Sequence, residues 1–266
     1  MYKRQIKICV AGAAGRMGST LLKEAVARGF ERVGGVEAPG NPCVGKTLRE
    51  AGICSSDAKI YDAGSLEEAV SEADVYISFT TPEAEVENIP IVAEIGKRIV
   101  MGTTGLTEEQ MQIIRNAIID KVPAVISPNY AIGVNILFRL IKTLRLLPQD
   151  YDFSIIEAHH TGKRDAPSGT AKKLGELVSE ARGYSSTIHG REGISVRKPG
   201  ELEVLSVRAG GIPGIHEVIV AGPHEMIRIE HTAFSRSVFA QGALYAAEWV
   251  SKQTEPGIYS MDDVLG

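Results

Sequence analysis

Residues 6–29 read IKICVAGAAGRMGSTLLKEAVARG, and their grammar changes in the middle. Ile6 to Val10 is a short β-branched run of the kind that fills a buried strand, and a glycine follows it at position 12. From Gly15 onward Met17, Leu21, Leu22, Ala25 and Val26 recur at helical spacing, which predicts a helix over 15–29. Between the two lies GAAGRMG, with glycines at 12, 15 and 18. Gly12 can make the tight exit, Gly15 lets backbone approach a pyrophosphate, and Gly18 allows close helix–strand contact. The helix N-terminus offers free N–H groups and partial positive charge. The spacing is GxxGxxG, not the commoner GxGxxG, so a plain strand-to-helix turn competes with a dinucleotide loop at these seven residues.

Working outward, strand-like and helix-like segments keep alternating. ERVGGVEA (31–38), DVYISF (74–79), RIVMG (98–102) and PAVIS (123–127) read as strands. Helices are predicted over 82–96 and from Leu106 to Ile119, the latter opened by Thr107. Alternation of this kind means βαβ crossovers and a doubly wound, parallel, Rossmann-like α/β sheet covered on both faces. Glu37 closes the second strand, where a carboxylate can accept hydrogen bonds from a ribose diol; its bland reading is a solvated strand end. Ala38 and Pro39 follow and offer no guanidinium for a 2′-phosphate, which favours NADH. Arg16 can still attract a phosphate, so NADPH stays in play. GTTG (102–105) and SPNY (127–130) sit at C-terminal strand ends, either as contacts for a nicotinamide and its ribose or as plain turns.

The pattern then shifts. Residues 132–147 read as one amphipathic helix stopped by Pro148, 151–159 as a strand, 168–182 as a helix, and 235–253 as a closing helix. LEVLSVRA and HEVIVAGPHEMIRIEH look like strands of an antiparallel sheet turning at Gly222-Pro223, while 183–201 and the tail from Pro256 read as loops. The loop between strand and helix, EAHHTGKRDAPSGTA (157–171), gathers His159, His160, Lys163 and Arg164 before a Ser168 N-cap whose neighbours Gly169 and Thr170 present N–H groups. This mixture suits a small carboxylated substrate and a moved proton. A capped helix with solvated charges explains Ser168 but leaves the clustering unexplained.

The 266 residues suggest two closely joined domains, with any small-molecule site where they meet. A net charge of −4 argues against a nucleic-acid or anionic-membrane surface, and no run is long enough for a membrane span. MYKRQ leads directly into the first strand, with no room for a signal segment. Cys9, Cys43 and Cys54 form no CxxC set, and there is no HExxH, so neither a disulfide framework nor a metal site is expected and a cytoplasmic location is.

GAAGRMG, GTTG, SPNYAIGVN, EAHHTGKRDAPSGTA and SRSVFAQGA occur in an order that resembles the dihydrodipicolinate (4-hydroxy-tetrahydrodipicolinate) reductases of lysine biosynthesis. The likeness spans essentially the whole chain, and its longest motif is highly specific. It implies a dinucleotide-binding domain of residues 1–130 and 240–266, and a smaller α+β domain of 131–239 with a mixed sheet. The second domain would bind a dicarboxylate and form a homotetramer. By position it assigns Gly12, Ala13, Ala14, Gly15, Arg16, Met17, Glu37, Gly102, Thr103, Thr104, Ser127, Pro128, Asn129 and Tyr130 to NADH or NADPH. His159 becomes a proton donor or acceptor, Lys163 a second proton donor, and His160, Gly169 and Thr170 substrate contacts. The family often has an arginine where Ala38 stands, and FTRPE where this chain has FTTPE with Thr81. A semialdehyde dehydrogenase would need a well-placed cysteine nucleophile, and a short-chain dehydrogenase a Tyr-x-x-x-Lys pair; neither is present. A cofactor sensor without catalysis would not need His159 with Lys163.

Overall fold

The computed structural model describes residues 4–266. Two compact units emerge, one from the chain up to Ala131 together with Ser237–Gly266, the other from Ile132–Arg236. The first begins with β1 (Lys7–Ala11), α1 (Arg16–Ala27), β2 (Glu31–Glu37), β3 (Ile60–Asp62) and α2 (Leu66–Val70). It continues through β4 (Val75–Ser78), α3 (Pro82–Glu94), β5 (Arg98–Met101), α4 (Glu108–Ile118) and β6 (Pro123–Ile126). Val75, Tyr76, Ile77, Ile99, Val100, Met101, Ala124 and Val125 have no exposed surface, as strands covered on both faces require. Local chemistry sets the helix starts. Thr81 accepts the Ala84 N–H ahead of Pro82, and Thr107 forms a reciprocal capping box with Gln110.

The second unit holds α5 (Ile132–Thr143), β7 (Asp152–His159), α6 (Gly169–Arg182), β8 (Ser186–Ile188), β9 (Glu201–Arg208), β10 (Ile215–Ala221) and β11 (Met226–Thr232). Its sheet runs β11-β10-β7-β9-β8. β10 pairs antiparallel with β7 and β11, whereas β9 pairs parallel with both β7 and β8. The sheet is therefore mixed, and the antiparallel reading of LEVLSVRA is corrected. β9 is reached from β7 through α6, a crossover that returns the chain in the same direction. β8 lies inside the stretch expected to be loop, and the expected helix over 132–147 stops as α-helix at Thr143, followed by a 3₁₀ turn at Leu144–Leu146. Phe153 and Ile155 of β7, Val218 and Val220 of β10, and Leu174 and Val178 of α6 form this unit's apolar core.

The chain then returns to the first unit as α7 (Ser237–Val250), β12 (Gly257–Tyr259) and α8 (Met261–Leu265). The completed sheet has the order β12-β6-β5-β4-β1-β2-β3, parallel throughout. The tail from Pro256, expected as loop, instead adds a short edge strand beside β6. The order reverses between β1 and β4, and in sheets of this kind the strand ends at that reversal form the ligand crevice.

Candidate active site

In the first unit the glycine loop behaves as its spacing asks. Gly12 has φ of +68°, and a Cβ there would stand 2.9 Å from the Phe79 carbonyl oxygen. At Gly18 a Cβ would sit 2.1 Å from the Gly12 oxygen, so α1 can enter at this depth only with glycine at that position. Gly15 caps α1 without a side-chain hydrogen bond, leaving the helix N-terminus to an anion. Glu37 is pre-set: Oε1 accepts the Ala14 N–H at 2.6 Å and Oε2 the Asn41 amide at 3.0 Å. Each oxygen keeps a lone pair for a diol. Exposed Arg16, half-buried Met17 and buried Ala13 complete the loop.

The neighbouring strand ends are braced from below. Glu85, with no exposed surface, accepts the hydroxyls of Ser78 at 2.5 Å, Thr80 at 2.6 Å and Thr103. Thr103 also accepts the Thr80 N–H at 2.9 Å, so its hydroxyl is spent inside the protein. A Cβ at Gly102 would fall within the Phe79 ring, and Thr104 is exposed. Ser127 bonds the Asn129 carbonyl at 2.9 Å, Pro128 is exposed, and the buried Tyr130 hydroxyl ties Met101 and Val125 at 2.9 Å each. Glu85 carries no signal of this role in its own helix, PEAEVEN; the threonines that meet it come from elsewhere in the chain.

In the second unit three strands converge on one face. Alternation along β7 buries Phe153, Ile155, Glu157 and His159, so an apolar stripe ends in a carboxylate and an imidazole. Register sets Arg208 of β9 beside His159 and His216 of β10 beside Glu157. Glu157 accepts both arms of Arg208, Nη1 at 2.9 Å and Nη2 at 2.7 Å, the Ser168 N–H at 3.1 Å, and His159 Nδ1 at 2.5 Å. Burial would raise its carboxyl, but the hydrogen bonds from Arg208, His159, Ser206 and Ser168 outweigh it and hold the group at about 2. An ionised Glu157 fixes His159 as the Nδ1–H tautomer. Nε2 is then the exchangeable position, with no protein partner among the described residues. Burial lowers the His159 pKa, Glu157 works against that, and the charges of Lys163 and Arg208 add to the lowering.

His160 follows the end of β7 and is half-buried, while Lys163 pairs with Asp165 at 2.7 Å. Ser168 caps α6 by accepting the Ala171 N–H at 3.2 Å, which leaves exposed Gly169 and half-buried Thr170 at the helix start. His159, Lys163, Ser168, Gly169 and Thr170 thus all belong to one strand–loop–helix connection. Sequence reasoning missed Glu157, Arg208 and His216. The period of two in β7 would have flagged Glu157 on the His159 face; nothing local flagged the other two. Among the described residues no histidine, cysteine and carboxylate cluster is arranged for a metal, and no helix is long and apolar enough to cross a membrane.

Comparison with known proteins identifies the family. Residues 6–130 match the family model for the dihydrodipicolinate reductase N-terminus and residues 133–265 that for its C-terminus. The 4-hydroxy-tetrahydrodipicolinate reductase of Methanosarcina barkeri is 45% identical, covering 98% of this chain and 99% of its own. That of Archaeoglobus fulgidus is 40% identical over 98% and 100%. A dipicolinate-bound dihydrodipicolinate reductase from Paenisporosarcina sp. TG-14 shares the fold, with a TM-score of 0.76, 23% identity and coverage of 97% and 98%. The glycine loop and Glu37 lie within the first matched segment and the Glu157–His159 pair within the second, and the chain belongs to the dihydrodipicolinate reductase family.

Proposed function

We propose that the protein reduces 4-hydroxy-tetrahydrodipicolinate, with His159 as proton donor and the α6 N-terminus as seat for a substrate carboxylate. The observation that carries this reading is Glu157, which holds His159 through Nδ1, leaving Nε2 open, and at the same time accepts the N–H of Ser168, the N-cap of α6. The glycine loop and Glu37 fit a dinucleotide: free N–H groups meet a pyrophosphate, and a held carboxylate meets a diol. Loss of the 4-hydroxyl as water, with a proton from the neighbouring ring carbon, would leave a conjugated imine, to which a bound dihydronicotinamide would supply hydride. A C–H bond then forms at a ring carbon, the π electron pair moves along the ring, and a proton must neutralise it. His159 gives that proton from Nε2, and Glu157 steadies the imidazolium beforehand. Its lowered pKa makes the proton easier to release. Lys163, His160 and Thr170 hold the substrate; Lys163 is a second proton source, and its charge offsets a carboxylate.

NADH is the favoured cofactor, because the carboxylate of Glu37 repels a 2′-phosphate and Ala38 supplies no compensating charge. The free cysteines suit a reducing cytoplasm. The test is oxidation of NADH and of NADPH with freshly made dihydrodipicolinate synthase product. Turnover with kcat/KM for NADH at or above that for NADPH is the expected result. Cofactor binding without turnover would identify a sensor instead.

A further inference from the structure

His159, His216 and His231 stand side by side on one face of the second unit's sheet. His216 is the register partner of both Glu157 and His231, and the rings of His159 and His216 meet edge to face at 5.1 Å. Only His159 has a part in the reaction above. His216 is 5% exposed, and its two ring nitrogens have unlike surroundings. Nε2 lies 3.1 Å from Ser168 Oγ, while Nδ1 is buried with no partner among the described residues.

Burial first, and then the neighbouring His159, push His216 down to about 4, so its ring is neutral near pH 7 and carries one N–H. On Nδ1 that hydrogen would be a buried donor with nothing to receive it. A bare lone pair in the same place is the milder loss, since orphaned buried N–H groups are rarer than under-satisfied acceptors. The hydrogen therefore belongs on Nε2, and Ser168 Oγ accepts it. Ser168 Oγ already accepts the Ala171 N–H. With both lone pairs filled, the Ser168 hydroxyl hydrogen has to point elsewhere, and no protein acceptor is within reach of it among the described residues.

We infer that His216 is a positioning residue of the substrate site: by donating Nε2–H to Ser168 it turns the Ser168 hydroxyl into a donor for a substrate carboxylate at the N-terminus of α6. This rests on the carboxylate seat described above. Ser168 is 2% exposed, so its hydroxyl serves only a ligand seated directly on the helix end.

The tautomer is read from nitrogen-15 correlation spectra of histidine-labelled protein, with His216→Gln used to assign the ring. His216 should be protonated on Nε2 and His159 on Nδ1. In steady-state kinetics His216→Leu should raise the substrate KM about tenfold or more, with KM for NADH unchanged and kcat within about threefold. His216→Gln, whose amide can replace the Nε2–H, should recover most of that loss and serves if the leucine variant folds poorly. Ser168→Ala combined with His216→Leu should be no worse than either alone, because both act through one hydroxyl. A proton on Nδ1, or additive losses, would overturn the role of His216 and leave the seat standing. An unchanged substrate KM in Ser168→Ala would remove the seat itself, and the inference with it.

Discussion

Glu157 has no exposed surface, yet it stays ionised because Arg208, Ser168 and His159 converge on it from three segments of chain. The consequence is a division of labour between the adjacent histidines. His159→Gln keeps some hydrogen bonding to Glu157 but exchanges no proton, so kcat should fall by about two orders of magnitude or more with NADH affinity unchanged. His160→Gln, just past the end of the strand, should act through the substrate KM. Steady-state kinetics with a separate NADH titration tests both, and near-wild-type kcat in His159→Gln would leave Lys163 as the acid. Stability gives a second readout at this scale. His216 sits at about 4 against an ordinary 6.5, facing His159, Glu157, His231 and Lys163, and burial is the main cause. A depressed histidine contributes fully above 6.5, and the contribution drains away as pH falls towards 4, amounting to about 3 kcal/mol over that window. Urea midpoints should drop accordingly between pH 7 and 4.5, and His216→Gln should flatten the slope. An equal slope in that variant would place the acid sensitivity elsewhere. Of these groups His159, His160, Lys163 and Ser168, all within EAHHTGKRDAPSGTA, were legible in the sequence. Arg208 and His216 are brought there by register, and a register is a property of strand pairing that no single segment carries.

At the scale of elements, α1 enters so close to the glycine loop that side chains are excluded. Gly18→Ala would drive a Cβ against the Gly12 carbonyl, which must shift and take the N-terminal N–H groups with it. Such overpacking costs about 1–3 kcal/mol. We expect Gly18→Ala to lower Tm and to weaken NADH binding at least tenfold by titration, with substrate binding spared; intact NADH affinity would separate the close approach from cofactor geometry. The long periodic elements were readable because their apolar spacing is a local property: α1, α3, α4, α6 and the buried strands β1, β4, β5 and β6 follow the pattern. β3, β8 and β12 have three residues each, too few to show a period, and each exists because a neighbouring strand offers an edge. The early stop of α5 at Thr143 has a similar origin, since the tighter turn after it leads towards Leu147 and Pro148, whose carbonyls Arg182 of α6 captures at 2.7 and 2.6 Å.

The whole molecule adds a constraint that neither residues nor elements reveal alone. α5 and α6 pack on one face of the second unit's sheet: the Gly175 position of α6 abuts Leu202 and Val204, and Gly133 of α5 abuts His231. Alternation sends Ile156 of β7, Leu205 and Val207 of β9, Ile219 of β10 and Met226 of β11 to the other face. There Val207 is 44% exposed and Met226 56%, set among Glu203, Glu217, Arg228 and Glu230, which the same alternation sends to this face, a mixed surface of the kind that a second copy of the chain covers. A face that meets itself about a two-fold axis forms a closed assembly, and two such axes give the homotetramer implied by the family likeness. Light scattering on the eluting protein should return about four times the 28.6 kDa chain mass at micromolar concentration. Val207→Glu with Ile219→Lys should shift that mass downwards while leaving the far-ultraviolet dichroism intact, because both side chains lie opposite the helices and outside the fold's core. A wild-type mass of one chain would mean that this face works uncovered. A tetramer that survives both substitutions would move the interface elsewhere, with the loop carrying the exposed Ile194 and Val196 as the next surface to alter.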